Sequence, residues 1–244
     1  DLRTGCRVGD VMKVRWVDID EPTKGTDSDG GPGGLVRQGL ANGGTAFIRL
    51  EGVIVEQGRV FFISTSGGDA GCGQMWVYRP DEGLLELVFE SPSREVLDYP
   101  DNIVASPRGG LVICEDSDQP VQRLYGLAGA GLADGAGELF TFAEQDVRLA
   151  GEMGFRGDFR SAEWAGACFS PDGRWLFANV YTPGFSVAIT GPSGSGKTSL
   201  LLLLSGLERP ASGRVAIDGT GLGGMDADAL ADLRRDRIGI VFQS

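Results

Sequence analysis

Three short segments of this chain repeat one local pattern, a tight turn followed at once by an apolar strand: "EQGRVFFIS" from Glu56, "SPRGGLVIC" from Ser106 and "SPDGRWLFA" from Ser170. They recur at intervals of 50 and 64 residues, and repetition on that scale builds a fold from similar units that bury their apolar faces against one another. Around the first, apolar runs at 46–55, 59–65, 74–79 and 84–90 are separated by turn residues, which reads as four successive antiparallel strands. The second unit offers strands near 101–105, 110–115, 121–126 and 138–142, and the third near 164–169, 174–180 and 184–189. Four-stranded sheets repeated in this way are propeller blades, and a closed ring takes about four to eight of them. About two and a half are visible here, with a further outer strand near "VMKVRWVDI" from Val11. The expected fold over residues 1–186 is therefore mainly β, an incomplete β-propeller. The 40 glycines and 11 prolines suit many tight turns between short strands.

From Val187 the period changes. An apolar strand leads into a glycine-rich turn, the helix "KTSLLLLLSG", the strand "GRVAIDG", an acid-capped helix "DADALADLRR" and the strand "IGIVFQ". Strand and helix alternate as in a nucleotide-binding α/β sheet. Residues 187–244 are accordingly expected to form a second, partial α/β P-loop unit.

The net charge of −12 is unevenly placed. Residues 1–186 hold 28 acidic and 16 basic side chains, whereas residues 187–244 hold 6 of each. An acidic surface repels nucleic acid and anionic lipid and suits hard cations held by carboxylates, so no nucleic-acid partner is expected. The chain has no histidine, which excludes a Ser-His-Asp or Cys-His nucleophile and a His-ligated zinc. Cys6, Cys72, Cys114 and Cys168 form no C-x-x-C pair and read as small hydrophobes. No apolar window reaches membrane-spanning length. The chain opens on Asp1 without an initiator Met and ends within an expected strand, and it reads as a piece cut at both ends. The polar stretch "EPTKGTDSDGGPGG" from Glu21 opens a D-x-D-G pattern but places Gln38 where a calcium loop needs a bidentate Glu, so it is expected to be a loop.

The segment "GPSGSGKT" fits G-x-x-x-x-G-K-S/T. Gly191, Gly194 and Gly196 let successive amides turn inward toward phosphate oxygens, with Ser193 and Ser195 between them and Ser199 following. Lys197 would reach the outer phosphates, the helix that starts there adds its positive end, and the Thr198 hydroxyl would ligate magnesium. With "SLLLLLSGLERPASGRVAIDG" and "RRDRIGIVFQS", the segment from about 190 to 244 resembles the start of an ABC-transporter ATPase, of the lipoprotein-release and macrolide-export type. The resemblance implies ATP with Mg2+ as cofactor, a membrane permease subunit as partner, and Gln243 at the start of the loop that senses magnesium and the attacking water. The chain stops before that family's signature segment, catalytic aspartate-glutamate strand and switch histidine. Asp20-Glu21-Pro22-Thr23 and "LANGG" from Leu40 imitate two of those elements in the wrong order and are read as coincidence.

The segments "FIRLEGVIVEQGRVFFISTSGGDAGCGQMWVY", "VLDYPDNIVASPRGGLVICED" and "SAEWAGACFSPDGRWLFANVYTPGFSVAITGP" resemble, in order, the C-terminal portion of PhoX-type alkaline phosphatases. That resemblance covers about 1–190. It implies a secreted propeller that hydrolyses phosphomonoesters with Ca2+ and Fe3+ held by carboxylates. Position by position, Arg49 would be the phosphate-clamping guanidinium and Glu51 a metal-bridging carboxylate. Glu115 and Asp116 are further metal-ligand candidates, and Asp101, Asn102 and Glu163 are weaker ones. The bland alternative for such carboxylates is turn chemistry at strand ends. The two resemblances disagree on location, secreted or periplasmic against the cytoplasmic membrane face, and meet within Ala188 to Pro192. The sequence therefore reads as a join of a phosphoesterase fragment and an ATP-binding fragment.

Overall fold

The structure is a computed structural model that describes residues 1–25, 34–129, 137–190, 216–217 and 220–237. Strands dominate it. The first sheet holds β1 (Val11–Lys13), β2 (Leu50–Glu56), β3 (Arg59–Ser64), β4 (Gln74–Arg79) and β5 (Leu84–Glu90) in the order β1-β5-β4-β3-β2. The second holds β6 (Pro100–Ala105), β7 (Leu111–Glu115), β8 (Arg123–Ala128) and β9 (Glu138–Glu144) in sequence order. A small hairpin of β10 (Arg148–Ala150) and β11 (Arg156–Asp158) precedes the third sheet. That sheet is β12 (Trp164–Phe169), β13 (Trp175–Val180) and β14 (Phe185–Thr190), again in sequence order. All neighbouring strands run antiparallel. Two full meanders and one three-stranded meander match the blade pattern read from the sequence, and β1 is the added outer strand.

The period-2 alternation of each strand explains how the sheets stack. In β7, Leu111 and Ile113 enter a core with Phe61, Ile63, Met75 and Val77 of the first sheet. Their neighbours Val112 and Cys114 enter a second core with Trp164, Leu176, Ala178 and Val180 of the third. The run "LVIC" is continuously apolar because the middle sheet is buried on both faces. In the first sheet, Trp76, Leu85 and Leu87 point the other way and pack with Leu2, Cys6, Met12 and Phe47. Turn chemistry follows the sequence: Gln57 and Gly58 have φ of 49° and 74°, the paired left-handed residues of a two-residue hairpin.

Several expectations change. The strand expected over "VMKVRWVDI" pairs only at Val11–Lys13. Its partner β5 begins at Leu84, and Val14 already donates to the turn carbonyl of Gly83, so the ladder has nowhere to continue. The expected loop from Glu21 is followed by a helix that periodicity did not reveal, α1 (Leu35–Ala41). Gln38 on that helix exchanges hydrogen bonds with the backbone of Glu21, closing the loop's base, while residues 26–33 lie outside the described residues. Strand β8 starts two residues later than expected because Gln122 is buried and its side chain bonds back to Ser117. Cys72 and Cys114 are buried free thiols, as expected, but Cys168 is exposed on the outer face of the third sheet.

Of the second unit, β15 (Ala216–Ile217) and β16 (Thr220–Gly221) form a short antiparallel pair, and α2 (Ala227–Arg237) follows. The Asp226 carboxylate accepts the Ala229 amide at 2.9 Å, the acid cap that the sequence signalled. The glycine-rich turn, the helix after it and the strand "IGIVFQ" lie outside the described residues, and with them the α/β arrangement expected there. No helix among the described residues is long and apolar enough to cross a membrane.

Candidate functional site

The strands that open the three meanders, β2, β6 and β12, lie side by side, with β6 in the middle. Each begins with the same backbone device. The residue just before the strand, Arg49, Tyr99 or Glu163, offers its carbonyl to the amide of Thr65, Asp116 or Tyr181, at 2.9, 3.0 and 3.0 Å. Each strand then carries a bulge, between Leu50 and Val53, between Pro100 and Asn102, and between Ala165 and Cys168. A bulge adds a residue to one strand and re-aims its side chains. Here it falls at Glu51 and Asp101. Arg49 and Tyr99 hold φ of 48° and 49°, a left-handed backbone that non-glycine residues adopt only where the surroundings impose it. Gly52 lets β2 and β6 meet: a Cβ there would stand 2.7 Å from the Asp101 carbonyl oxygen and 3.0 Å from the Asn102 Cα.

Acidic side chains at these strand starts, with Asp116 after the end of β7, act on one another through their charges. Arg49 Nη2 lies 3.5 Å from Glu51 Oε1, and its guanidinium carbon sits 5.8 Å from the centre of the Tyr99 ring. Burial, and then the charges of Glu51 and Asp116, push the Asp101 carboxyl above its usual range, while Arg49 pulls it back. Glu163 is raised in the same way, by burial and then by Asp116, Asp101 and Glu51. Glu51, Asp101, Asp116 and Glu163 thus feel one another across three sheets. The structure places four of the sequence-selected carboxylates and Arg49 together. The hydroxyl of Thr65, at the position equivalent to Asp116, is buried without a hydrogen-bond partner.

Glu115 stands apart. It is fully buried, and Arg123 grips both of its oxygens, Nη2 to Oε1 at 2.8 Å and Nε to Oε2 at 3.0 Å. The amides of Asp98 and Arg123 add bonds of 3.1 Å each. Burial lifts its pKa, and these four donors pull it back. Its lone pairs are committed to the fold. Asn102 is engaged in the ladder opposite Cys114, whose thiol burial pushes up to about 12, beyond any use as a thiolate. Gly191, Ser193, Gly194, Ser195, Gly196, Lys197, Thr198, Ser199 and Gln243 lie outside the described residues. Sequence reasoning missed Tyr99 and Arg94, whose guanidinium carbon is 5.6 Å from the same ring centre. The only signal was an aromatic residue directly before "PDN".

The donor chemistry of the acidic group suits hard cations, which take carboxylate oxygens. Its spacing does not complete a site: among the described residues no three of His, Cys, Asp and Glu stand close enough to hold a metal ion.

Comparison with known proteins separates the chain into two parts. Residues 181–244 match the ABC transporter family. Over 62 residues the chain is 50% identical to the macrolide export ATP-binding/permease protein MacB of Marinobacter nauticus, covering 25% of this chain and 10% of that protein. Over 61 residues it is 51% identical to the mycobactin import ATP-binding/permease protein IrtB of Mycolicibacterium thermoresistibile, with the same coverage. The chain therefore spans about a tenth of the length of these relatives. Among solved structures, it is similar to Pseudomonas fluorescens PhoX in complex with vanadate, at 17% identity and a TM-score of 0.40, over 63% of this chain and 33% of that one. Residues 5–184 match the family described as alkaline phosphatase PhoX, and through them the chain belongs to the PhoX alkaline phosphatase family, with an ABC-transporter segment following.

Proposed function

We propose that the chain is a composite of a PhoX-type phosphomonoesterase portion and an ATP-binding portion of ABC-transporter type, with neither holding complete catalytic machinery within these residues. The observation that carries this reading is where the two matches meet. One runs to residue 184 and the other begins at 181, both inside the turn between β13 and β14. Strand β14, which leads to Gly191, is paired along its whole length with β13. The strand that should launch a nucleotide-binding sheet is thus built into the third blade.

In the first portion, Arg49 is the phosphate-clamping cation, and Glu51, Asp101, Asp116 and Glu163 are the residues that would hold Ca2+ or Fe3+. When bound, such metals would polarise a phosphoryl group and supply a nucleophilic water. The chain's own contribution is to orient Arg49 and to concentrate negative charge beside it. The open spacing of the carboxylates supports the view that residues outside this set complete the centre. In the second portion, Gly191, Ser193, Gly194, Ser195, Gly196 and Ser199 would wrap the phosphates of ATP. Lys197 would neutralise the outer ones, Thr198 would ligate Mg2+, and Gln243 would face the attacking water. The relatives named as ATP-binding/permease proteins support a membrane permease as its partner.

The test is a paired assay of the purified chain. The expected result is Mg-ATP binding that disappears in Lys197→Ala, without turnover of ATP or of nitrophenyl phosphate. Calcium-dependent nitrophenol release that vanishes in Glu51→Gln would contradict the composite reading and restore a working phosphatase.

A further inference from the structure

Tyr99 carries two guanidinium groups on one ring. Arg49 approaches it from β2 at 5.8 Å and Arg94 from the loop before β6 at 5.6 Å. Each arginine has its own carboxylate: Arg49 Nη2 is 3.5 Å from Glu51, and Arg94 Nε is 3.9 Å from Asp98 Oδ1. These contacts link carboxylate, guanidinium, aromatic ring, guanidinium and carboxylate in turn. Both arginine side chains remain about half exposed, at 47% and 54%, so each keeps donors facing solvent.

Two features fix the main chain that carries the ring. Tyr99 is held at φ 49°, with its amide bonded to the Cys72 carbonyl at 3.2 Å and its carbonyl to the Asp116 amide at 3.0 Å. Asp98, directly before it, is fully buried with neither carboxylate oxygen hydrogen-bonded. A buried carboxylate without hydrogen bonds is expensive to keep, and Arg94 is the cation that reaches it. A fixed aromatic face aligns a guanidinium plane while leaving its N–H edge free for an anion.

We infer that Arg94 is a second anion-binding arm beside Arg49, positioned by Tyr99 and Asp98, and that it selects phosphoryl ligands carrying a second anionic group, such as a further phosphate or a carboxylate. The inference rests on the reading of Arg49 as the phosphate clamp and names the substrate class that this clamp prefers. Arg94 contacts the ligand's second group, whereas Tyr99 acts only through the two arginines.

Calorimetric binding of methylphosphonate, with one anionic group, and phosphonoacetate, with two, tests it. Neither compound is hydrolysed as an ester. The measurement uses the full chain carrying Lys197→Ala, so that the glycine-rich loop adds no phosphate site. Phosphonoacetate is expected to bind about tenfold more tightly than methylphosphonate, the scale of one added charge-assisted contact. Arg94→Gln should bring that ratio close to one, with most of the loss falling on phosphonoacetate. Tyr99→Phe should keep the ratio, and Tyr99→Leu should lower it with the thermal midpoint held within the range of the other variants. An unchanged ratio in Arg94→Gln overturns the inference alone. Methylphosphonate binding that is absent, or that survives Arg49→Gln at full strength, overturns the clamp reading and the inference with it.

Discussion

Glu115 and Asp116 are adjacent in sequence, yet the end of β7 turns their side chains into two different environments. On one side Glu115 is sealed from water and answered by four donors, three of them from Arg123, its amide and two guanidinium nitrogens. On the other, Asp116 joins Glu51, Asp101 and Glu163, whose only nearby cation is Arg49 in the charge balance that raises Asp101. A carboxylate whose lone pairs are filled by the fold serves stability. One held among like charges destabilises the fold unless a ligand relieves it. That difference, rather than acidity itself, separates the carboxylates proposed to face a cation from Glu115.

The largest break in this comparison comes from Glu115→Gln. It leaves Arg123 largely buried without its counter-charge, and chemical denaturation should show a loss of about 3 kcal/mol. Next comes Gly52→Ala, which drives a Cβ to 2.7 Å from the Asp101 carbonyl oxygen. Backbone cannot give way as a side-chain tip can, so about 2 kcal/mol should be lost, and the pKa of Asp101 should move with the spacing of β2 and β6.

A smaller effect appears in the pH dependence. Asp101 and Glu163 have pKa values raised in the folded protein, so the folded state holds protons more tightly than the unfolded chain does. The stability tied to these groups is present below their unfolded pKa and is lost as pH rises through the folded one. In metal-free buffer, unfolding free energy should fall over that window. Asp101→Asn and Glu163→Gln should each flatten the fall, and a slope unchanged by both would remove the case for mutual repulsion. The exposed pair Arg160 and Asp158, at 2.6 Å, is the small-effect control: Arg160→Gln should change stability by less than about 1 kcal/mol.

The sequence made the sheets legible because their alternation is strong. "RVFFIS" and "LVIC" each announce a strand with apolar residues on both faces, "RWLFANV" announces one that buries Leu176, Ala178 and Val180 on a single face, and the Gly58 and Gly173 turns mark where strands reverse. Helix α1 was not legible: "LVRQGLA" is short, follows a polar loop, and is held by Gln38 against Glu21 rather than by an apolar stripe. The hairpin β10–β11 is three residues per strand, too short to show a period. Among the site residues, Glu51, Asp101 and Glu163 were singled out by the PhoX resemblance, while the repeat, which placed the first strand over 46–55, did not show that β2 starts at Leu50. The opposite facing of Glu115 and Asp116 could not be ranked, because alternation says that the two diverge but not which one meets Arg123. Tyr99 was invisible because its role rests on a left-handed backbone and two distant arginines, neither of which leaves a local pattern.

In the function proposed above, a cation meets the carboxylates of Glu51, Asp101, Asp116 and Glu163 and not the buried Glu115–Arg123 pair. The most direct measurement is the shift in thermal midpoint produced by calcium, against sodium at equal ionic strength, in the Lys197→Ala chain. At mildly alkaline pH calcium should raise the midpoint, and the rise should disappear in acid and in the Asp101→Asn, Glu163→Gln double variant. In Glu115→Gln it should persist on a lower baseline. A calcium shift that survives the double variant, or that is lost with Glu115, would show that cations do not bind through the Glu51, Asp101, Asp116 and Glu163 carboxylates.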